Sequence, residues 1–339
     1  MCRDKIIGIE IGLIALFAVG VAFKLARAVL VPFAMALLLA YAVSPVLDHL
    51  VKKKVPKSLA LTVILILTFV VLYLVGSVFY SSGKSFALQL PAYNEVVDSF
   101  IESVDELFHS ERIKTDMINF FTAFNIERAG KVLLSALGPF VSFVSELFLV
   151  IIFMIFILAG RGRLAGKIER AFAPGRAAAI GGALSRIDRD IQKYLAVKTL
   201  TNLVLGLVTA VVMALFGLPF AVLFGILTFL VNYIPTLGTL LGVAATALFA
   251  AFMFGSVGRP LLILLILTVV SFLIDRLLRR KLMGDVIELS PLLVLFALFF
   301  GAWLWGIPGM ILAVPFLAMV KIVLANVPGL VPIEKMMGK

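Results

Sequence analysis

The run of residues 220–254 contains no charged side chain, yet its centre reads NYIPTLGTLLG. About 20 consecutive apolar residues suffice for a helix to cross a bilayer, and several other windows of this chain approach or exceed that length. Only 14% of the 339 residues are charged and 63% are hydrophobic, whereas soluble domains carry about 25% charged residues. Because lipid leaves each backbone N–H and C=O to be paired within its own helix, these runs predict an all-α polytopic membrane protein.

About eight membrane segments are predicted along the chain. They are residues 6–23, 29–47, 59–80, 139–159, 195–216, 219–254, 260–274 and 289–325. The chain divides accordingly into three N-terminal membrane helices (1–80), an insertion (81–138), a fourth helix with a basic connector (139–194), a transport core (195–326) and a tail (327–339). A β-barrel would instead show short alternating segments.

Loop charges predict the orientation of these segments. Residues 48–57 are rich in lysine, and residues 160–193 contain eight Lys or Arg against three acids, so both loops are expected in the cytoplasm. Residues 81–138 contain five bases and eight acids, and their apolar residues recur at helical spacing, which predicts a small amphipathic helical insertion outside the cell. Both termini are then expected on the cytoplasmic side of a bacterial inner membrane. The net charge of +11 comes from bases in loops beside apolar spans, so it is not interpreted as a nucleic-acid-binding surface.

The runs 219–254 and 289–325 are each interrupted at their centre. The segments PFAVLFGILTFLVNYIP and PLLVLFALFFGAWLWGIP share an opening Pro, a Val-Leu-Phe and a closing Ile-Pro. Their first arms are short for a full crossing, so we interpret both runs as re-entrant helical hairpins; two full crossings, or kinked helices with Trp at the interface, are the alternatives. The predicted orientation has them entering from opposite faces, an inverted repeat of the kind that secondary transporters use.

The interruptions supply the candidate solute-binding residues. They are Asn232, Tyr233, Pro235, Thr236, Gly238 and Thr239 in the first run, and Trp303, Trp305, Gly306, Pro308 and Gly309 in the second. Pro removes a backbone donor and Gly permits close approach, while the amide, hydroxyl and indole groups can hydrogen-bond a solute. Asp275 and Arg276 are candidate coupling or gating residues, with a local ion pair as the alternative.

These residues predict a secondary transporter of a small, neutral, polar solute that binds at the membrane midplane between the two hairpins. A Na+(Li+)/H+ antiporter, with H+ or Na+ as coupling ion, is the first alternative, and a non-transporting membrane scaffold is the second. Neither a metal or cofactor motif nor a catalytic constellation is recognised, so no cofactor is expected and an enzyme is not predicted.

The stretches NYIPTLGTLLG, IDRLLRRKLMG and LSPLLVLFALFFGAWLWGIPGMILAVPFLAMVK together resemble the AI-2E family, the autoinducer-2 exporter family. The resemblance implies eight membrane segments counted with two hairpins, export of a small furanosyl-type signal, a homo-oligomer that is a homopentamer, and an elevator-like motion. It also matches Gly301 and Pro315 to the second hairpin and Asp275 to a polar helix end. Arg276 and Arg280 stand where the family pattern has Asn-like and Pro residues.

Overall fold

A computed structural model describes residues 15, 18–89, 115, 140–160, 163–234, 237–274, 276, 289–327 and 329–338. Within these ranges the chain forms helices and turns and no strand, which confirms the predicted all-α class. Most of the predicted extracytoplasmic insertion and of the first membrane helix lies outside the described residues. The number of membrane segments and the re-entrant character of the two interrupted runs stay predictions.

The described helices follow one another as short and long segments. They are α1 (Arg27–Lys52), α2 (Lys57–Gln89), α3 (Phe140–Gly160), α4 (Arg163–Ala171), α5 (Pro174–Leu215), α6 (Ala221–Val231), α7 (Leu237–Phe254), α8 (Gly258–Leu273), α9 (Pro291–Trp305), α10 (Ile307–Asn326) and α11 (Val331–Met336). Residues 18–25 are also helical and are joined to α1 through Ala26 alone.

Four of these helices, α1, α2, α5 and α10, are long and apolar enough to cross a membrane, and α3, α6, α7, α8 and α9 contribute shorter apolar segments. Helix α5 has 42 residues, about 63 Å at 1.5 Å per residue, twice the hydrocarbon thickness of a bilayer. Its charged residues end at Lys198, and the rest of the helix is an apolar run without a charge. The predicted span 195–216 is therefore the second half of a continuous helix that begins in the basic connector.

The described chain forms two compact units. The first unit combines residues 1–65, 146–195 and 286–339. Its core is built from small residues of α1 that pack against larger residues of α3, and the start of α2 contributes two further side chains. The buried side chains are Ala36, Ala40, Leu47, Ala60, Ile64, Val150, Met154 and Leu158. Alanine on one helix lets the bulky side chains of another approach closely, which is how helices gain packing energy in lipid.

The second unit combines residues 66–145 and 196–285. An aromatic cluster organises its core: the Phe86 ring lies 5.3 Å from both Phe220 and Phe249, and Phe224 stacks on Phe249 at 4.8 Å. Phe220 has a positive φ of 60°, which is strained for a bulky residue. Because its ring is held in this cluster, the packing stabilises the turn from which α6 begins.

The two interrupted runs form two helix pairs with different breaks. In the first pair, α6 and α7 are separated by residues 232–236; in the second, α9 and α10 are separated by Gly306 alone. Gly306 has φ +70° and ψ −142°, a conformation that only glycine adopts readily, so one residue ends the helix. Ile307 and Pro308 then begin α10, where the missing N–H of proline costs nothing.

The isoleucines of the two matching Ile-Pro dipeptides therefore occupy different structural positions. Ile234 precedes α7 within the first break, whereas Ile307 is already the first residue of α10. The first arms differ as well, since α6 has 11 residues, about 16 Å, and α9 has 15, about 22 Å. The first break is longer than the second because none of its described residues is a glycine with a positive φ. Several residues, rather than one, therefore turn the chain there.

Glycines bring α5 and α6 together. A Cβ added to Gly206 would lie 2.6 Å from the Gly225 carbonyl oxygen, and one added to Gly225 would lie 2.7 Å from the Gly206 carbonyl oxygen. Both distances are too short for real atoms, so each helix needs glycine at this crossing. Close backbone approach through small residues is the usual means of helix association in lipid.

We expect Gly206→Ala to destabilise the second unit by about 1–3 kcal/mol, because the added methyl group forces the two backbones apart. Gly181→Ala is the matched control: Gly181 lies on the same helix with no atom within 4 Å of an added Cβ, so alanine should leave stability unchanged or raise it by up to about 1 kcal/mol. Thermal unfolding of the detergent-solubilised protein measures both. Equal stability of the two variants would contradict the close crossing.

Candidate functional site

A buried amide closes the end of α6. The side chain of Asn232 is only 6% exposed, and its nitrogen lies 2.8 Å from the side-chain oxygen of Asn202 on α5, which is fully buried. The hydroxyl of Thr239 on α7 donates to the Asn232 side-chain oxygen at 2.7 Å. Three helices thus meet at one neutral polar cluster, which we call the amide cluster.

The orientation of the two amides follows from their surroundings. If the Asn202 amide is turned, its nitrogen donates to the Lys198 carbonyl at 3.2 Å and its oxygen accepts from the Tyr233 N–H at 3.3 Å. Turning the Asn232 amide as well keeps the 2.8 Å contact a hydrogen bond and lets its nitrogen donate to the Thr239 hydroxyl. This paired orientation satisfies more donors and acceptors, so it is the one we favour.

Tyr233 extends the amide cluster toward α5. Its hydroxyl lies 2.9 Å from the hydroxyl of Thr199, and its ring meets the Phe229 ring edge-on at 5.7 Å. Thr199 and Asn202 are three residues apart on α5, so both face the break from adjacent turns. The cluster therefore presents two amides and three hydroxyls, all of them neutral.

The backbone of the first break is paired without these side chains. The N–H groups of Asn232, Tyr233 and Ile234 donate to carbonyls three or four residues earlier in α6, and the Gly238 N–H donates to the Ile234 carbonyl at 2.9 Å. The amides are thus not required as helix caps. Their hydrogen bonds to each other can be exchanged for bonds to another molecule while the described backbone pairing is kept.

Gly238 is buried against the end of α6. An added Cβ would lie 2.6 Å from the Asn232 Cα and would collide with the Val231 carbonyl oxygen. Thr239 is the third residue of α7, and its hydroxyl bonds the amide cluster. The other two predicted residues of this break, Pro235 and Thr236, lie outside the described residues.

One hydroxyl beside the amide cluster is unused. Thr228 is 1% exposed, and its Oγ1 has no hydrogen-bond partner among the described residues. Thr209 and Thr246, by contrast, donate to the carbonyls of Leu205 and Gly242 on their own helices. Thr228 lies one turn from Asn232 and faces Gly242, where an added Cβ would be 3.3 Å from its Oγ1. A buried hydroxyl without a partner is costly, so it marks a place where a polar ligand atom would be favourable.

The tryptophans of the second break contact the start of the chain. The Trp305 indole N–H donates to the Phe23 carbonyl at 3.1 Å, and the Lys24 ammonium lies 4.8 Å from the centre of the Trp303 ring, a cation–π contact. Trp303 is nevertheless 43% exposed. The indole donor that was predicted to bind solute is thus already used within the first unit.

Close approach of the two arms follows directly after the second break. Gly309 is buried, and an added Cβ there would collide with the Gly301 carbonyl oxygen, as one on Gly301 would with the Gly309 carbonyl oxygen. Gly306 and Pro308 are exposed. This tip is therefore formed by backbone and glycine, and its exposed atoms carry no polar side chain apart from the indoles.

The predicted coupling pair is described only in part. Arg276 is exposed, and its guanidinium lies 5.0 Å from the Phe272 ring centre in a cation–π contact. Asp275 lies outside the described residues. The structure thus places Asn232, Tyr233, Gly238 and Thr239 together in the second unit, and it places the five residues of the second break in the first unit.

Sequence reasoning missed Asn202 and Thr199, because the span 195–216 was read only as an apolar helix. The signal was present: Asn202 is the only asparagine of that span, and an amide in lipid requires a partner. Asn232, in the next apolar run, is such a partner. Pairing these two asparagines across neighbouring spans would have located the amide cluster.

Apolar helices with interrupted centres and a buried neutral polar cluster define an α-helical membrane protein of the solute-transport class. The chain belongs to the AI-2E family of transporters, whose family model matches residues 11–329. It is 30% identical to a Borreliella burgdorferi protein named "Putative transport protein" over 94% of this chain and 86% of that protein. It is 27% identical to the AI-2 transport protein TqsA of Escherichia coli K12, over 95% of this chain and 92% of that protein.

Removing one partner of the amide cluster should leave a buried amide unsatisfied. We expect Asn202→Ala to destabilise the protein by about 1–3 kcal/mol, and the double variant with Asn232→Ala to cost less than the sum of the two single changes. Thr209→Val is the control, because the Thr209 hydroxyl bonds only its own helix. Unfolding measured for the unchanged protein, the two single variants, the double variant and the control tests this, and additive losses would show that the two amides are not coupled.

Proposed function

We propose that this protein is a secondary transporter that exports a small, uncharged, polar metabolite, and that the amide cluster is its solute-binding site. The observation that carries the proposal is the buried contact of Asn202, Asn232 and Thr239 at a helix break. The backbone of that break is paired on its own account. The side chains can therefore exchange their hydrogen bonds to each other for bonds to a solute, and the Thr228 hydroxyl, which has no partner among the described residues, adds one more donor and acceptor beside them.

The chemistry of the amide cluster indicates a neutral solute. Its side chains are amides and hydroxyls, which exchange hydrogen bonds with the hydroxyl groups of a sugar-like molecule one for one. A strongly anionic solute would need a buried cation, and Arg276 is exposed and stacked on Phe272. A polyol or furanosyl compound fits the donors and acceptors that the cluster offers.

Autoinducer-2 is the first solute to test, since the Escherichia coli relative is named an AI-2 transport protein. Its hydroxyl-rich, uncharged character agrees with the amide cluster.

We further propose a location in the bacterial inner membrane, a homo-oligomeric assembly and an elevator-type motion of one unit. The presence of one interrupted helix pair in each compact unit supports such a motion, and a contribution of the second break to the solute site stays a prediction from the sequence.

The alternative of a Na+(Li+)/H+ antiporter makes a different residue essential. There a titrating carboxylate, for which Asp275 is the sequence candidate, would carry the proton, and the hydroxyl of Tyr233 would be dispensable. A non-transporting scaffold would make both dispensable. These three functions are separated by one pair of variants assayed for two kinds of flux.

We expect Tyr233→Phe to reduce uptake of autoinducer-2 or a related polyol into proteoliposomes by about tenfold or more, since the proposed site loses one hydroxyl that can hydrogen-bond the solute. The ring contact with Phe229 is kept, so the variant should fold normally. Thr246→Val, which removes a buried hydroxyl bonded to its own helix, is the matched control and should transport as the unchanged protein does.

The same vesicles are tested for proton flux driven by Na+ or Li+ with an internal pH-sensitive dye. Cation-driven proton flux that Asp275→Asn abolishes and Tyr233→Phe leaves intact would replace the proposal by the antiporter. Neither solute uptake nor proton flux, from protein shown to be folded, would favour the scaffold.

A further inference from the structure

Helix α3 has one face in the protein and one face open. Leu147, Val150, Met154 and Leu158 are at most 1% exposed, whereas Phe148, Ile152 and Phe156, spaced by four residues, are 59%, 46% and 73% exposed. A stripe of large apolar side chains of this kind on a membrane helix faces lipid acyl chains. Helix α4 begins three residues after α3 ends, so it starts close to the end of the lipid-facing stripe.

Helix α4 has an apolar side that the first unit covers only in part. Ile168 is 8% exposed, and the Phe172 N–H donates to the Ile168 carbonyl at 3.1 Å, which continues the helical turn to Phe172. Phe172, one turn after Ile168, is 43% exposed. An aromatic ring at the end of a short amphipathic helix, beside a lipid-facing stripe, is suited to the interface between headgroups and acyl chains.

The polar side of α4 is basic. Lys167 and Arg170 of α4, and Arg176 in the first turn of α5, are exposed, and none of them forms an ion pair with a described side chain. Residues 161–176 contain five bases and one acid in the sequence. Exposed bases next to an exposed aromatic ring at the end of a membrane helix attract an anionic surface at short range.

We propose that α4, with Phe172 and the bases Lys167, Arg170 and Arg176, is a docking surface for anionic phospholipid headgroups. Phe172 enters the acyl boundary, and the three bases contact lipid phosphates. A second copy of this chain is a less suitable occupant, because two identical basic surfaces would repel each other. This inference is independent of the solute and of the amide cluster.

The lipid around α4 is identified by fluorescence quenching in the full-length protein. Cys2 is the only cysteine, so Cys2→Ser combined with Ala173→Cys gives one labelling site, exposed and next to Phe172. The labelled protein is reconstituted into vesicles that contain either brominated phosphatidylglycerol or brominated phosphatidylcholine at equal mole fraction. We expect the anionic lipid to quench the label more effectively, by at least about fivefold in relative binding constant, which is the contribution of one base near the membrane surface.

Changing the three bases to glutamine (Lys167→Gln, Arg170→Gln, Arg176→Gln) should reduce this preference to within about twofold. Lys52→Gln, Lys53→Gln and Lys54→Gln, exposed bases of another predicted cytoplasmic loop, remove the same charge and should leave the preference intact. Equal quenching by the two lipids in the unchanged protein overturns the proposal. Quenching by neither lipid, with cross-linking between copies through the cysteine at position 173, overturns it in favour of a protein contact.

Discussion

An interruption in an apolar membrane helix leaves backbone N–H and C=O groups that lipid cannot pair, and the arrangement of the two breaks in this chain depends on how that constraint is met. At the first break the described backbone N–H groups donate to carbonyls three or four residues earlier. The last of these bonds runs from the Gly238 N–H to the Ile234 carbonyl. At the second break the Gly306 N–H donates to the Ala302 carbonyl. In both places backbone satisfies backbone, and side chains are left over for other contacts.

The side chains left over differ between the two breaks. At the first, Asn232 and Tyr233 reach α5 and pair with Asn202 and Thr199. At the second, Trp303 and Trp305 reach the helical residues 18–25. The first contact joins polar groups that can exchange partners with a solute, whereas the second joins an indole to a backbone carbonyl and a ring to a cation. The two breaks resemble each other in sequence, but only the first forms a buried cluster of hydrogen-bonding side chains among the described residues.

The all-α class, the interrupted runs and much of the first polar tip could be predicted from the sequence, because charge, length and the positions of Pro and Gly set them locally. Lys24 could not be predicted as a partner, because it lies far along the chain from the break that it contacts. Asn202 could have been, since it is the only asparagine of the span 195–216 and pairs with Asn232 of the next apolar run. Matching Ile-Pro dipeptides also misled the comparison of the two runs. Gly306 ends α9 immediately before its Ile-Pro, and a sequence alignment does not show which of the neighbouring glycines, Gly306 or Gly309, adopts the positive φ.

A self-paired polar cluster has a consequence for binding under the proposed function. A solute that enters must replace hydrogen bonds such as Asn202–Asn232 and Thr239–Asn232 with its own, and each exchange contributes only about 0.5–1.5 kcal/mol net. The unused Thr228 hydroxyl gives one bond that is not an exchange, so it contributes more than any of the others. The affinity expected under this proposal is modest, which suits transport, because a solute that is bound too tightly on one side of a membrane is not released on the other.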